Sequence, residues 1–184
     1  IEPNPDYDTV MKAVTLAHDN KINYLVAVGG GSVIDGTKFI AHAIPYTGED
    51  AWELAIHPEK ITKTTPLATV LTLPATGSEM NYRGVLSRRR TQEKVSFITP
   101  KSSPQFSILD PEVTYTLPKK QLSNGIVDAF MHIMEQYMTT TGNGILMDRW
   151  AEGVLLSLIE IGPRVLENQK DYDTMANFML CASM

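Results

Sequence analysis

The segment LVAVGGGSVIDGTKFIA, residues 25–41, sets an apolar run, three consecutive glycines and a helix-forming stretch in direct succession. That order constrains the fold more than any other part of the chain. A short β-rich run, a turn without side chains and an amphipathic stretch are the punctuation of an α/β protein. Glycines after a strand let the backbone approach a bulky ligand, and a helix start offers unpaired N–H groups at the positive end of its dipole. Ser32 and Asp35 stand at the spacing of a capping box, so Ser32 is expected to cap the helix. GGGSVID matches neither the spaced G-x-G-x-x-G fingerprint nor a P-loop, because no Gly-Lys-Ser/Thr follows. Two readings stay open on these residues: a phosphate cradle, or a tight strand-to-helix turn.

The flanking sequence extends the α/β pattern. Val10, Val14 and Ala17 recur at helical spacing, which predicts a first helix over residues 7–20 with Pro5 or Asp6 near its start. Strands are expected over 22–28 and 67–73, with a proline-containing excursion between them that holds a short helix near 51–56. NYRGVLS and KVSFIT flank Arg88, Arg89 and Arg90 and read as an antiparallel pair with a solvated, basic tip; FSILD adds another strand. Beyond YTLPKKQLSNG the texture changes, and helices are predicted over 126–138, 145–166 and 171–184. The expected division is therefore residues 1–117 and 118–184. No internal repeat or low-complexity tract supports a solenoid or a linker.

Composition excludes several function classes. Sixteen Lys and Arg against 21 Asp and Glu leave a net charge of −5 on 184 residues, which gives no footprint for nucleic acid or an anionic membrane. Cys181 is the single cysteine, so an internal disulfide and a multi-cysteine zinc site are ruled out. No apolar run reaches the length of a membrane span, and a cytoplasmic location is expected. A hydrolytic triad lacks its G-x-S-x-G elbow, and His18, His42 and His57 fall in positions expected to be solvated.

Two further motifs carry chemistry. TLPATGSE, residues 72–79, repeats the loop design after the next apolar strand, with hydroxyls at Thr72, Thr76 and Ser78 around Gly77. Ligands in open α/β sheets collect beyond the carboxyl ends of strands, so the two loops are expected to line one crevice; local Ser/Thr turn bonds are the alternative. GIVDAFMHIMEQY puts Asp128 and His132 four apart, on one helix face within reach of one ion. A surface Asp–His pair is the other reading of that spacing.

GGGSVIDGTK, LPATGSE and NGIVDAFMHIMEQY, in that order, together with ILDPEVTYTLP and DRWAEGVLLSLIE, resemble the iron-containing (group III) alcohol dehydrogenases along essentially the whole chain. The likeness is greatest to the branch of NADP-dependent butanol dehydrogenases and broad-specificity aldehyde reductases. It implies an α/β fold followed by an all-α region: part of a Rossmann-like nucleotide-binding domain, then the first helices of a helical metal-binding domain, in a dehydroquinate synthase-like architecture. It also implies that Gly29, Gly30, Gly31 and Ser32 receive the cofactor pyrophosphate, with Asp35 nearby. Thr72, Thr76, Ser78, Asn81 and Lys94 would lie along the cofactor and Asn4 at its rim. Asp128 and His132 correspond to the first two metal ligands, the others being expected beyond Met184.

The expected function is hydride transfer between NADP (or NAD) and a small aldehyde or primary alcohol, assisted by a divalent metal, iron or zinc. No side chain is assigned as a catalytic acid or base. The chain is expected to be a central fragment, itself inactive, of an enzyme that forms a homo-oligomer, a dimer. Glycerol dehydrogenases and dehydroquinate synthases are the alternative on the same scaffold. A non-catalytic nucleotide-binding module is the alternative from another class.

Overall fold

The computed structural model describes residues 1–139 and 144–184. They divide into two compact units, one of Ile1–Leu71 with Ser78–Ile108, the other of Thr72–Gly77 with Leu109–Met184.

The first unit is α/β. Helix α1 (Tyr7–Asp19) leads to β1 (Leu25–Gly29), α2 (Gly31–Ala43), the short α3 (Glu53–Ile56) and β2 (Leu67–Leu71). Strands β3 (Arg83–Arg88), β4 (Glu93–Ile98) and β5 (Ser107–Ile108) follow. A parallel sheet runs β1-β2-β5, with Leu25 opposite Leu67 and Gly29 opposite Leu71, so β1 and β2 end at the same edge. β3 and β4 form the expected antiparallel pair, from Arg83–Ile98 to Arg88–Glu93. The strand expected over 22–28 starts three residues later, because the chain after α1 first turns through Lys21 at positive φ.

Helix α2 organises this unit. It packs on β1, β3 and α1, and its residues Gly36 to Ala43 are all buried. Phe39 and Ile40 join Tyr7, Val10, Val14, Trp52, Leu54, Leu86 and Phe97 in one core. Such close helix–sheet packing supplies most of the stabilisation, at roughly 25 cal/mol for each Å² of apolar surface buried. β2 is covered on both sides, whereas β1 is not: Val26 and Val28 are 58% and 60% exposed, and Ile108 of β5 is 46% exposed.

Two expectations about polar residues are corrected here. The arginine run is not wholly a solvated tip, because Arg88 alternates to the inner side of the β3–β4 pair. Its guanidinium lies 4.9 Å from the Tyr7 ring centroid and 5.4 Å from that of Trp52, and Nη2 donates to Asp50 at 2.7 Å. Tyr7 also donates to Asp50, at 2.7 Å; burial and this carboxylate push the phenol up to about 12. Aromatic faces and a carboxylate together replace the water that Arg88 loses. His42, expected at the surface, is 1% exposed because α2 is enclosed on nearly every side. Its Nε2 meets Ser102 Oγ at 2.8 Å, and Nδ1 has no hydrogen-bond partner.

The second unit is helical. α4 (Lys119–Thr139), α5 (Ile145–Glu167) and α6 (Tyr172–Ser183) enclose a core of Leu122, Ala129, Leu158, Ile161, Val165, Met175 and Phe178. Gln169 fixes the entry to α4, its Nε2 donating to the carbonyls of Thr114, Tyr115 and Leu117 at 2.7–3.2 Å. None of the helices of the described residues is long and apolar enough to cross a membrane.

Burial, with Lys101 and Lys38 nearby, pushes the His42 imidazole down to about 4 from an ordinary 6.5. The unfolded chain therefore binds a proton that the folded chain refuses, and stability present above pH 6.5 is lost as the pH falls towards 4. Urea titrations of wild type and His42→Gln should show the stability difference between them shrinking by about 3 kcal/mol from pH 7 to pH 4, at 1.36 kcal/mol per pKa unit.

Candidate functional site

In the first unit the site is built where β1 runs into α2. The glycines start the helix two residues earlier than the capping-box spacing implies. Gly30 is the N-cap, with φ −86° and ψ −170°, no side chain caps the helix, and its first turn holds no acid. Ser32 thus sits inside the first turn rather than capping it. A helix start leaves its first N–H groups without intrahelical partners, and here neither a cap nor a carboxylate offsets them. Side-chain bulk is excluded as well: a Cβ on Gly29 would lie 2.5 Å from Val33 Cβ.

Three of the sequence-derived cofactor residues gather beside this turn. The Asn4 backbone N–H donates to Ser32 Oγ at 3.3 Å, and Lys94 Nζ donates to Asn4 Oδ1 at 2.9 Å. Asn4 takes a left-handed φ of 55°, a conformation that asparagine tolerates better than most residues. A positive charge and a hydroxyl are thereby set near the bare start of α2.

Asp35, Ser78 and Asn81 form a second group around a residue that motif reading passed over. Asp35 does not close a capping box. Its carboxylate accepts from Ser78 Oγ at 2.5 Å and from the Val85 amide at 3.0 Å. Burial raises the Asp35 carboxyl above its ordinary value, opposed by those bonds and by the charge of Lys38. Lys38, fully buried, donates to Ser78 O and Oγ, Asn81 O and Oδ1, and Arg83 O, at 2.6–3.2 Å. Burial pushes the ammonium down to about 8, against Asp35 and Glu79, so it stays charged at neutral pH. The signal that could have found Lys38 is a lysine three residues after Asp35, inside an apolar stripe that leaves it no route to solvent.

Thr72 and Thr76 belong to the second unit, on the Thr72–Gly77 segment; Thr72 is half-buried and Thr76 exposed. α4 passes so close to this segment that a Cβ on Gly125 would lie 2.5 Å from Pro74 O. The glycine opening the third motif is therefore a packing requirement that its pattern did not disclose. On the same helix His132 Nε2 lies 3.7 Å from Asp128 Oδ1. Both side chains are about half exposed, as are Val127 and Met131. Among the described residues no group of three or more His, Cys, Asp or Glu could hold a metal. The pair offers one carboxylate oxygen and one imidazole nitrogen on a single face.

Gly125→Ala should cost about 2 kcal/mol in urea unfolding, since the added methyl group meets backbone oxygen rather than a movable side chain. Gly153, with open space around its Cβ direction, is the matched control. There alanine should stabilise by about 1 kcal/mol through helix propensity alone.

The family model "Iron-containing alcohol dehydrogenase" matches residues 1–111. The chain is 50% identical to the NADPH-dependent aldehyde reductase YqhD of Escherichia coli, over 100% of this chain and 48% of that protein. It is 41% identical to the NADH-dependent butanol dehydrogenase B of Clostridium acetobutylicum, over 100% of this chain and 47% of that one. Among solved structures, Escherichia coli YqhD superimposes with a TM-score of 0.96 at 49% identity, covering 100% of this chain and 47% of that chain. The chain spans about half the length of the curated relatives it matches. Its α/β unit with a glycine-built helix start, its helical unit carrying Asp128 and His132, and the family match agree: the chain belongs to the iron-containing alcohol dehydrogenase family.

Proposed function

We propose that residues 1–117 form the later part of a dinucleotide-binding domain and residues 118–184 the opening helices of a metal-binding domain. The enzyme would transfer hydride between NADP (or NAD) and a small aldehyde or primary alcohol. The observation that carries this reading is the start of α2, uncapped, free of acid in its first turn and reached through three glycines. Those features favour a pyrophosphate, whose charge complements the helix dipole and whose bulk needs the missing side chains.

The chain's own groups divide the work. The first-turn amides of α2 and the Ser32 hydroxyl bind the pyrophosphate, and Lys94, steadied by Asn4, adds positive charge. Thr72, Thr76, Ser78 and Asn81 supply hydroxyl and amide groups along the cofactor. Asp128 and His132 hold a divalent ion, and their donor set suits iron or zinc. When bound, the ion would supply Lewis-acid chemistry at a carbonyl oxygen, and the nicotinamide would supply the hydride. A cytoplasmic homodimer fits this reading. Ile145, Leu146 and Trp150, exposed at the start of α5, are side chains that a partner subunit could cover.

The test is butanal reduction by the intact encoded protein, rather than by residues 1–184 alone, with NADPH or NADH, after chelation and re-addition of Fe²⁺ or Zn²⁺. Metal-dependent oxidation of NADPH is expected, and Asp128→Asn with His132→Ala should lower it by about 100-fold or more. Cofactor binding without reduction by either metal would leave a nucleotide-binding module. Undiminished metal-dependent activity in the double variant would remove these residues from the metal site.

A further inference from the structure

Lys38 is among the largest fully buried side chains of the first unit, and it touches neither solvent nor a single dedicated carboxylate. Five oxygens surround its Nζ: the carbonyls of Ser78, Asn81 and Arg83, the Ser78 hydroxyl and the Asn81 side-chain oxygen. An ammonium has three N–H groups, so five acceptors cannot each receive a separate, well-aligned bond. The arrangement is matched to a small sphere of charge rather than to directional donors. Three of the oxygens are main-chain carbonyls converging on one point from residues 78–83, the geometry with which proteins replace the hydration shell of a monovalent cation. Without a positive charge at its centre, that segment would hold converging dipoles apart from water, a costly state. Asp35 and Glu79 add negative charge around the same point.

We propose that Lys38 is a positioning residue whose ammonium serves as a tethered monovalent cation, holding the segment that carries Ser78 and Asn81 in its folded conformation. Their use by a dinucleotide rests on the proposed function; the ordering of the segment does not. A guanidinium cannot take the place of the ammonium, because its planar fork spreads charge and donors over a larger area. Small free cations can, provided the side-chain stem has been removed to admit them.

Hydrogen exchange of the amides from residue 78 to 85 in the protein reads the segment directly. Lys38→Ala should speed exchange there by about tenfold or more, with α4 to α6 unchanged. Added ammonium or ethylammonium should restore protection, and tetramethylammonium, too large and without N–H groups, should not. Lys38→Met, whose terminal methyl fills the same place without charge, should exchange fast in every salt. Lys38→Ala folding only with ethylammonium is the same result in stronger form. Slow exchange in Lys38→Ala or Lys38→Met, or a loss that neither ammonium nor ethylammonium reverses, overturns the inference; so does failure of Lys38→Ala to fold in every salt. A parallel NADPH titration separates the two readings. Wild type that binds no NADPH defeats the proposed function and leaves the exchange result standing. Wild type that binds NADPH, with undisturbed exchange in Lys38→Ala, defeats the tethered cation alone.

Discussion

A helix enclosed on nearly every side has to find a partner for each polar atom it carries, and α2 carries several. Asp35, Thr37, Lys38 and His42 lie within two turns of one another along it, Lys38 and His42 with almost no exposure. Thr37 bonds back to the Val33 carbonyl, His42 reaches Ser102, and Asp35 and Lys38 reach Ser78 to Val85. These side chains tie the helix to segments far away in sequence, because nothing nearer can satisfy them. Apolar contacts hold the first unit together, while the polar atoms of α2 decide which turn lies against which part of it.

That dependence also explains what could be read from the residues alone. The period of Val10, Val14 and Ala17 gave α1 to within a residue, since an amphipathic face is a local signal. The paired runs around the arginines showed the antiparallel strands for the same reason. Burial of polar side chains was not legible. Arg88 reads like its neighbours until Tyr7, Trp52 and Asp50 are folded against it, and none of those is near it in sequence.

The site divides along the same line. The glycine run announced a turn with room beside it, and the grouping of Asn4, Ser32 and Lys94 follows once α1, α2 and β4 are assembled. Ser32 and Asp35 satisfy the capping-box spacing, yet the glycines admit the helix earlier and Ser78, 43 residues on, takes Asp35. A pattern of four residues cannot register a competitor at that distance. Gly125 illustrates the reverse case: its reason is a carbonyl oxygen of another segment, visible only when the two are brought together.

The parallel sheet leaves Val26 and Val28 facing outwards on β1, which among the described residues has a strand neighbour on one side only. Parallel strands are ordinarily shielded on both faces, and an unshielded edge is a template for another strand. Handled by itself at high concentration, this chain has one of its exposed apolar surfaces there. Ordered stacking would begin at β1 and be held back chiefly by like-charge repulsion between molecules that each carry −5. Salt, which screens that repulsion, works against solubility while leaving the valines as adhesive as before.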